Sequence, residues 1–147
     1  MKKPNIRPFK FLSIVVIGLL MTPLPIAAGD FDGSNPLICA VIDAVECVPG
    51  GTCQERTLED INFPRFLNID FKKEMITGSG GSDLHTKIER TESVQGMTFL
   101  QGSEEGTAGA KDSVGWTIAI SEDTGEAAVT ISGHQVGFVV FCNCTPD

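Results

Sequence analysis

Five cysteines and two histidines are the residues whose chemistry the rest of this 147-residue chain would have to organise. Cys142-x-Cys144 together with a histidine would begin a zinc set, but tetrahedral zinc needs further imidazole or thiolate ligands held close by. Cys142 beside His134 would be a thiol nucleophile with its base. The plainer reading is that His85 follows a glycine-rich loop, that His134 sits in a Gly-His-Gln turn, and that both face solvent. A Ser-His-Asp set lacks the G-x-S-x-G elbow that would support it. Glu104-Glu105 and Glu122-Asp123 lie in loops and read as solvated surface, so no paired-acid hydrolase follows from them. Asp30-Phe31-Asp32-Gly33 misses the calcium-loop spacing, and Thr77 to Asp83 (TGSGGSD) lacks the G-K-[ST] ending of a phosphate loop. No catalytic residue, metal or cofactor is assigned, and a hydrolase is disfavoured.

The N-terminus explains how the cysteines should be read. Lys2, Lys3, Arg7 and Lys10 precede an apolar run from Phe11 to Met21, which Pro23 and Pro25 end before Ile26-Ala27-Ala28. A basic start, a short apolar stretch and small residues make a secretory signal peptide over residues 1–28. The run is shorter than the roughly 20 residues a membrane span needs, so no stable membrane anchor is expected. In an exported chain cysteines are disulfides before they are ligands. Cys47 and Cys53 flank Val48-Pro49-Gly50-Gly51-Thr52, a turn that a bridge would close. Cys39 is left for Cys144 or Cys142, which share one face of a strand. Cys144 is the favoured partner, leaving Cys142 as a free thiol able to join two chains.

After Ala28 the sequence carries 7 basic and 19 acidic residues, a net charge of −12. Such a surface repels phosphate backbones and excludes nucleic acid as a partner. It permits a cationic partner, and the acidic, glycine-rich loops place Asp83, Glu104, Glu105 and Asp112 on the candidate binding surface.

The elements that would position these groups are strands. Trp116, Ile118 and Ile120 alternate with Thr117, Ala119 and Ser121, and Ala127, Val129 and Ile131 with Ala128, Thr130 and Ser132. That period marks strands with one buried face. Glu122 to Gly125 is the hairpin turn between them, and Gly133-His134 the next. Asp43 interrupts the first apolar strand and should point to solvent at an edge. Thr57-Leu58-Glu59-Asp60 fits a capped helical turn ended by Pro64. In Phe66 to Met75, Leu67, Ile69, Phe71 and Met75 share a face, while Lys73 breaks the alternation and marks a twist or an end. About seven strands result, at 37–47, 66–75, 85–93, 97–101, 115–121, 126–132 and 136–142. Residues 29–147 therefore form a single all-β domain, an antiparallel meander closing into an up-and-down barrel or compact sandwich. A bridge from first strand to last fits the barrel better. A barrel this small tends to be filled by its own side chains. Phe71, Phe99, Trp116 and Phe138, with Phe66 and Phe141, would supply that filling or line a pocket.

The order C-x7-C-x5-C, Pro64-Arg65-Phe66-Leu67-Asn68-Ile69-Asp70, Gly115-Trp116, Asp123-Thr124-Gly125 and Gly137-Phe138-Val139-Val140-Phe141-x-x-Cys144 resembles a group of small, exported, uncharacterised proteins of Gram-negative bacteria. The resemblance covers nearly all of the chain after Ala28. Cys142 stands where such proteins carry glycine in a Phe-Gly-x-Cys ending, which supports Cys142 as the extra thiol. It implies a fold and a secreted or periplasmic compartment, and brings no activity. Asn143-Cys144-Thr145 matches a glycosylation acceptor, but the short basic leader is of bacterial type and the match reads as chance. The expected function is a non-catalytic binding or interaction module of the envelope, monomeric, contacting an unknown protein. The alternative is a lipocalin-like carrier of a small apolar ligand.

Overall fold

A computed structural model describes residues 30–105 and 113–147; the signal peptide expected over residues 1–28 and the expected surface residue Asp112 lie outside them. Among the described residues there are ten antiparallel strands and no helix. They are β1 (Leu37–Cys47), β2 (Gln54–Glu55), β3 (Phe66–Asp70), β4 (Met75–Ser79), β5 (His85–Lys87), β6 (Arg90–Val94), β7 (Met97–Glu104), β8 (Val114–Ser121), β9 (Glu126–Gly133) and β10 (Val136–Pro146). The sheet order is β5-β4-β3-β1-β10-β9-β8-β7-β6, with the short β2 on β1. This is one meander curled into a half-barrel, whose first long strand and last strand lie side by side.

The core follows from phase. Trp116, Ile118 and Ile120 on β8 stand opposite Ile131, Val129 and Ala127 on β9. Across the other neighbour, Ile120 faces Thr98, Ile118 faces Leu100 and Trp116 faces Gly102. Directly opposite side chains on one face are the contacts that stabilise a sheet, and here they repeat across the whole interior. Leu37, Leu67, Ile69, Ile76 and Val140 are buried from the opposite wall. Between β1 and β10 the register is Cys39 on Cys144, then shifts between Val41 and Asp43. The bulge leaves Ile42 66% exposed and turns Asp43 to solvent, where its carboxylate accepts the Ala44 amide.

Three expected elements differ. The strand 66–75 is a hairpin: β3 ends at Asp70, whose Oδ1 accepts the amides of Lys72 and Lys73 at 3.1 and 3.0 Å. Glu74 then takes a φ of 52° and β4 runs back. The Lys73 ammonium 2.8 Å from Asp70 holds that carboxyl below its ordinary range. β4 also takes the first residues of what reads as the loop 77–83. The strand 85–93 breaks into two. Ile88 donates its amide to Glu74 on the β4 side, and Glu89 donates to Gln101 on β7. A single bent segment thus spans the two margins of the half-barrel. Finally, the helical turn at Thr57 is a non-helical turn, although Thr57 Oγ1 does accept the Asp60 amide at 3.2 Å.

The two ends of the half-barrel are unlike. At one, the Phe31 ring lies against Gly125, and Phe71 packs on Gly33. Gly125 has a φ of 72°, and a β-carbon there would come within 2.6 Å of the Cys144 carbonyl. Cys144 in turn donates its amide to Gly125 at 2.8 Å, and Asp147 donates to Pro36. Both termini of the described domain therefore plug this end. The opposite end carries the connections β1–β3, β4–β5, β7–β8 and β9–β10.

Candidate functional site

At that second end the interior is not filled. Leu67, Ile76, Ile118 and Val129 form the floor and walls of a half-open cavity of about 120 Å3. Phe63, Leu84, Val114 and Ile131, all half-buried, continue the wall towards the mouth, and the buried Trp116 completes the apolar lining. Among the described residues only two in the lining are polar, Thr86 and Glu104. The site arises because β7, β8 and β9 bring in-phase side chains to one end, while β3, β4 and residues 84–86 face them.

Trp116 is fixed by a buried hydrogen bond, its Nε1 donating to Thr86 Oγ1 at 2.9 Å. β8 is thereby tied to β5 across the interior. Gly102 on β7 makes room for this: a β-carbon there would lie 2.3 Å from the indole ring and 2.6 Å from the Lys87 carbonyl. The other buried hydroxyl, Thr98, donates to Glu122 at 2.8 Å. Among the described residues no buried side-chain nitrogen or oxygen lacks a partner.

Of the six aromatic residues expected as filling or pocket lining, Trp116 lines this cavity, whereas Phe66 and Phe141 are turned to solvent, 44% and 45% exposed. Phe71 belongs to the opposite, plugged end. Phe99 lies between the buried Thr98 and Leu100, so its ring is out of phase with the interior. Phe138 is half-buried opposite Ile131 without reaching the cavity. Of the acidic residues, Glu104 is the last residue of β7 rather than a loop residue, and it lines the cavity. Asp83 and Glu105 are exposed and adjoin the lining residues Leu84 and Glu104, so they flank the mouth. Phe63, Leu84 and Thr86 had no sequence signal for a site; Ile118, Val129 and Ile131 had the alternation alone.

Both bridges form as expected, Cys39–Cys144 and Cys47–Cys53, and Cys142 is free. Disulfides belong to oxidising compartments outside the cytoplasm. Cys142 is 3% exposed, so a bond to a second chain would require opening the sheet. Burial pushes its thiol up from 9.0 to about 11, since the thiolate would be poorly solvated. His134 lies in the β9–β10 turn, six residues of extended strand from Cys142 and thus roughly 20 Å away. The two make no nucleophile–base pair. Among the described residues no three His, Cys, Asp or Glu side chains gather as metal ligands.

The thiol leads to a pH prediction. The folded state holds the Cys142 proton more tightly than the unfolded chain, so its stabilising contribution is complete below pH 9. It is lost as the pH rises from 9 to about 11, by on the order of 2 kcal/mol. The difference in denaturant midpoint between parent and Cys142→Ala should therefore change over that window and be flat below it. Alkylation of native protein at pH 8 should be slow and limited by unfolding; fast labelling would show the thiol is not buried.

Compared with protein-family models, curated proteins and solved structures, the chain gives no match.

Proposed function

We propose that this protein is a non-catalytic binding module, secreted or periplasmic in a Gram-negative bacterium, that holds a small apolar ligand at the open end of its half-barrel. The observation that carries the reading is the cavity at the open end, whose described lining is apolar except for Thr86 and Glu104. Its volume is close to that of the roughly 150 Å3 apolar cavity that stays dry and takes up benzene. Concave, mostly apolar sites with few polar groups are the usual form of small-ligand sites. The leader, the two bridges and the resemblance to small exported proteins favour the compartment. A cationic protein partner is the second reading, favoured by exposed Asp83 and Glu105 beside the same mouth.

The chain has one tryptophan, and it lines the cavity, so ligand entry can be read directly. Titration with 1-hexanol should shift Trp116 emission saturably, and Ile131→Phe, which fills the mouth, should abolish the shift without unfolding the domain. No saturable shift with any six-carbon ligand, together with a clean native mass from the source organism, would turn the search to proteins bound by the acidic rim. Binding of that kind would weaken steeply with salt.

A further inference from the structure

We infer that the ligand is a cationic amphiphile, an alkyl or aromatic ammonium whose apolar part enters the cavity and whose charge stops at Glu104. The inference rests on the cavity reading above and adds the chemistry of the head group. Glu104 is in the inward phase of β7, following Thr98, Leu100 and Gly102 at every second position. Among the described residues it is the one charged residue in the cavity lining, and it is half-buried. Among the described residues it takes part in none of the five ion pairs; Glu46, Glu59, Asp70, Glu74 and Glu92 take those partners. Nor does it accept any of the side-chain hydrogen bonds found among the described residues, whereas its neighbour Glu89 accepts from Ser103.

An apolar wall around one carboxylate has a definite selectivity. Beside low-dielectric surface the attraction for a cation is stronger than in open water, and a charge-assisted hydrogen bond to an ammonium is stronger than one to a hydroxyl. A carboxylate-headed ligand meets repulsion from Glu104, and again from Asp83 and Glu105 at the rim. Trp116 and Phe63 put two aromatic rings in the same lining, and an aromatic ring attracts a cation more than a neutral head group. The site therefore ranks ligands of one length in the order ammonium, alcohol, carboxylate.

The test is a comparison of hexylamine, 1-hexanol and hexanoate on the disulfide-bonded protein at neutral pH, read by Trp116 emission. Hexylamine should bind about tenfold more tightly than hexanol, and hexanoate most weakly. Glu104→Gln should bring hexylamine to the hexanol level and leave hexanol unchanged. Asp123→Asn, which removes an exposed acid from the turn at the plugged end, should leave the preference intact, separating Glu104 from the diffuse negative charge. Equal binding of hexylamine and hexanol, or a preference that survives Glu104→Gln, overturns the cationic head group and leaves the apolar reading standing. Binding of none of the three overturns both. Should Glu104→Gln fail to fold, the parent's own ranking of the three ligands decides.

Discussion

Replacing Cys39 and Cys144 together by alanine should lower the melting temperature by about 15–20 °C, several times the effect of Cys142→Ala. The bridge joins residues 105 apart, and closing a loop of that length restrains the unfolded chain by about 4–5 kcal/mol in the chain-entropy model. For a domain of this size each kcal/mol moves the midpoint by roughly 3–5 °C. The bridge also sits where the meander's two ends meet, with Cys39 directly opposite Cys144 in the β1–β10 register. Its loss frees the pairing that involves the longest loop, so the unfolded chain regains entropy where folding has to work hardest. Cys47–Cys53 encloses a separation of 6, and its removal should cost only about 2 kcal/mol. Cys142→Ala deletes one buried sulfur and should cost about 1 kcal/mol. Substituting both partners avoids a stray thiol next to Cys142. Thermal unfolding followed by circular dichroism, with intact masses to confirm the bridges, gives the ranking. Equal losses for the double variant and for Cys142→Ala would mean that the 39–144 bridge is not the stabilising one.

The same residues show where sequence reasoning works and where it stops. Alternation over 116–120 and 127–131 set both strand and phase, because each strand has one buried face and a glycine-bearing turn between them. The cysteines were readable because the short pair flanks a turn and the long pair must join distant strands. The hairpin inside 66–75 was hidden, since its turn uses neither glycine nor proline. Asp70 captures two amides and Glu74 accepts a positive φ, both invisible to a count of apolar positions. Gly102 lies just beyond the strand expected at 97–101. It is a strand residue, and its missing side chain is where the Trp116 ring and the Lys87 backbone sit. That error moved Glu104 out of the strand and off the cavity wall. Counting aromatics likewise could not choose among Phe71, Phe99 and Phe138, because which end of the barrel a ring reaches depends on register, not on residue type.

Trp116→Ala should cost about 3–5 kcal/mol, and a double-mutant cycle with Thr86 should show that part of this is a bond across the half-barrel. The indole packs over Gly102 and donates to Thr86 Oγ1, linking β8 to the bent segment that spans the sheet margins. Trp116→Phe keeps most of the ring but removes the donor, leaving the buried Thr86 hydroxyl, 4% exposed, without that partner. Thr86→Val removes the acceptor and leaves the indole N–H orphaned. Each single change should cost about 1–3 kcal/mol, since an unpaired buried polar group loses its full solvation. The double variant Trp116→Phe/Thr86→Val removes both members and should cost less than the sum of the two, by 0.5 kcal/mol or more on the scale typical of contacting residues. Hydrogen exchange should respond at the same place. The amides of Ile88 and Glu89, which bond to opposite margins, should lose protection in either single variant before the β1–β10 amides do, because the margin is more sparsely packed than the β1–β10 seam. Additive costs, or protection lost evenly through the sheet, would mean that the indole acts by bulk alone and that the margins are held together elsewhere.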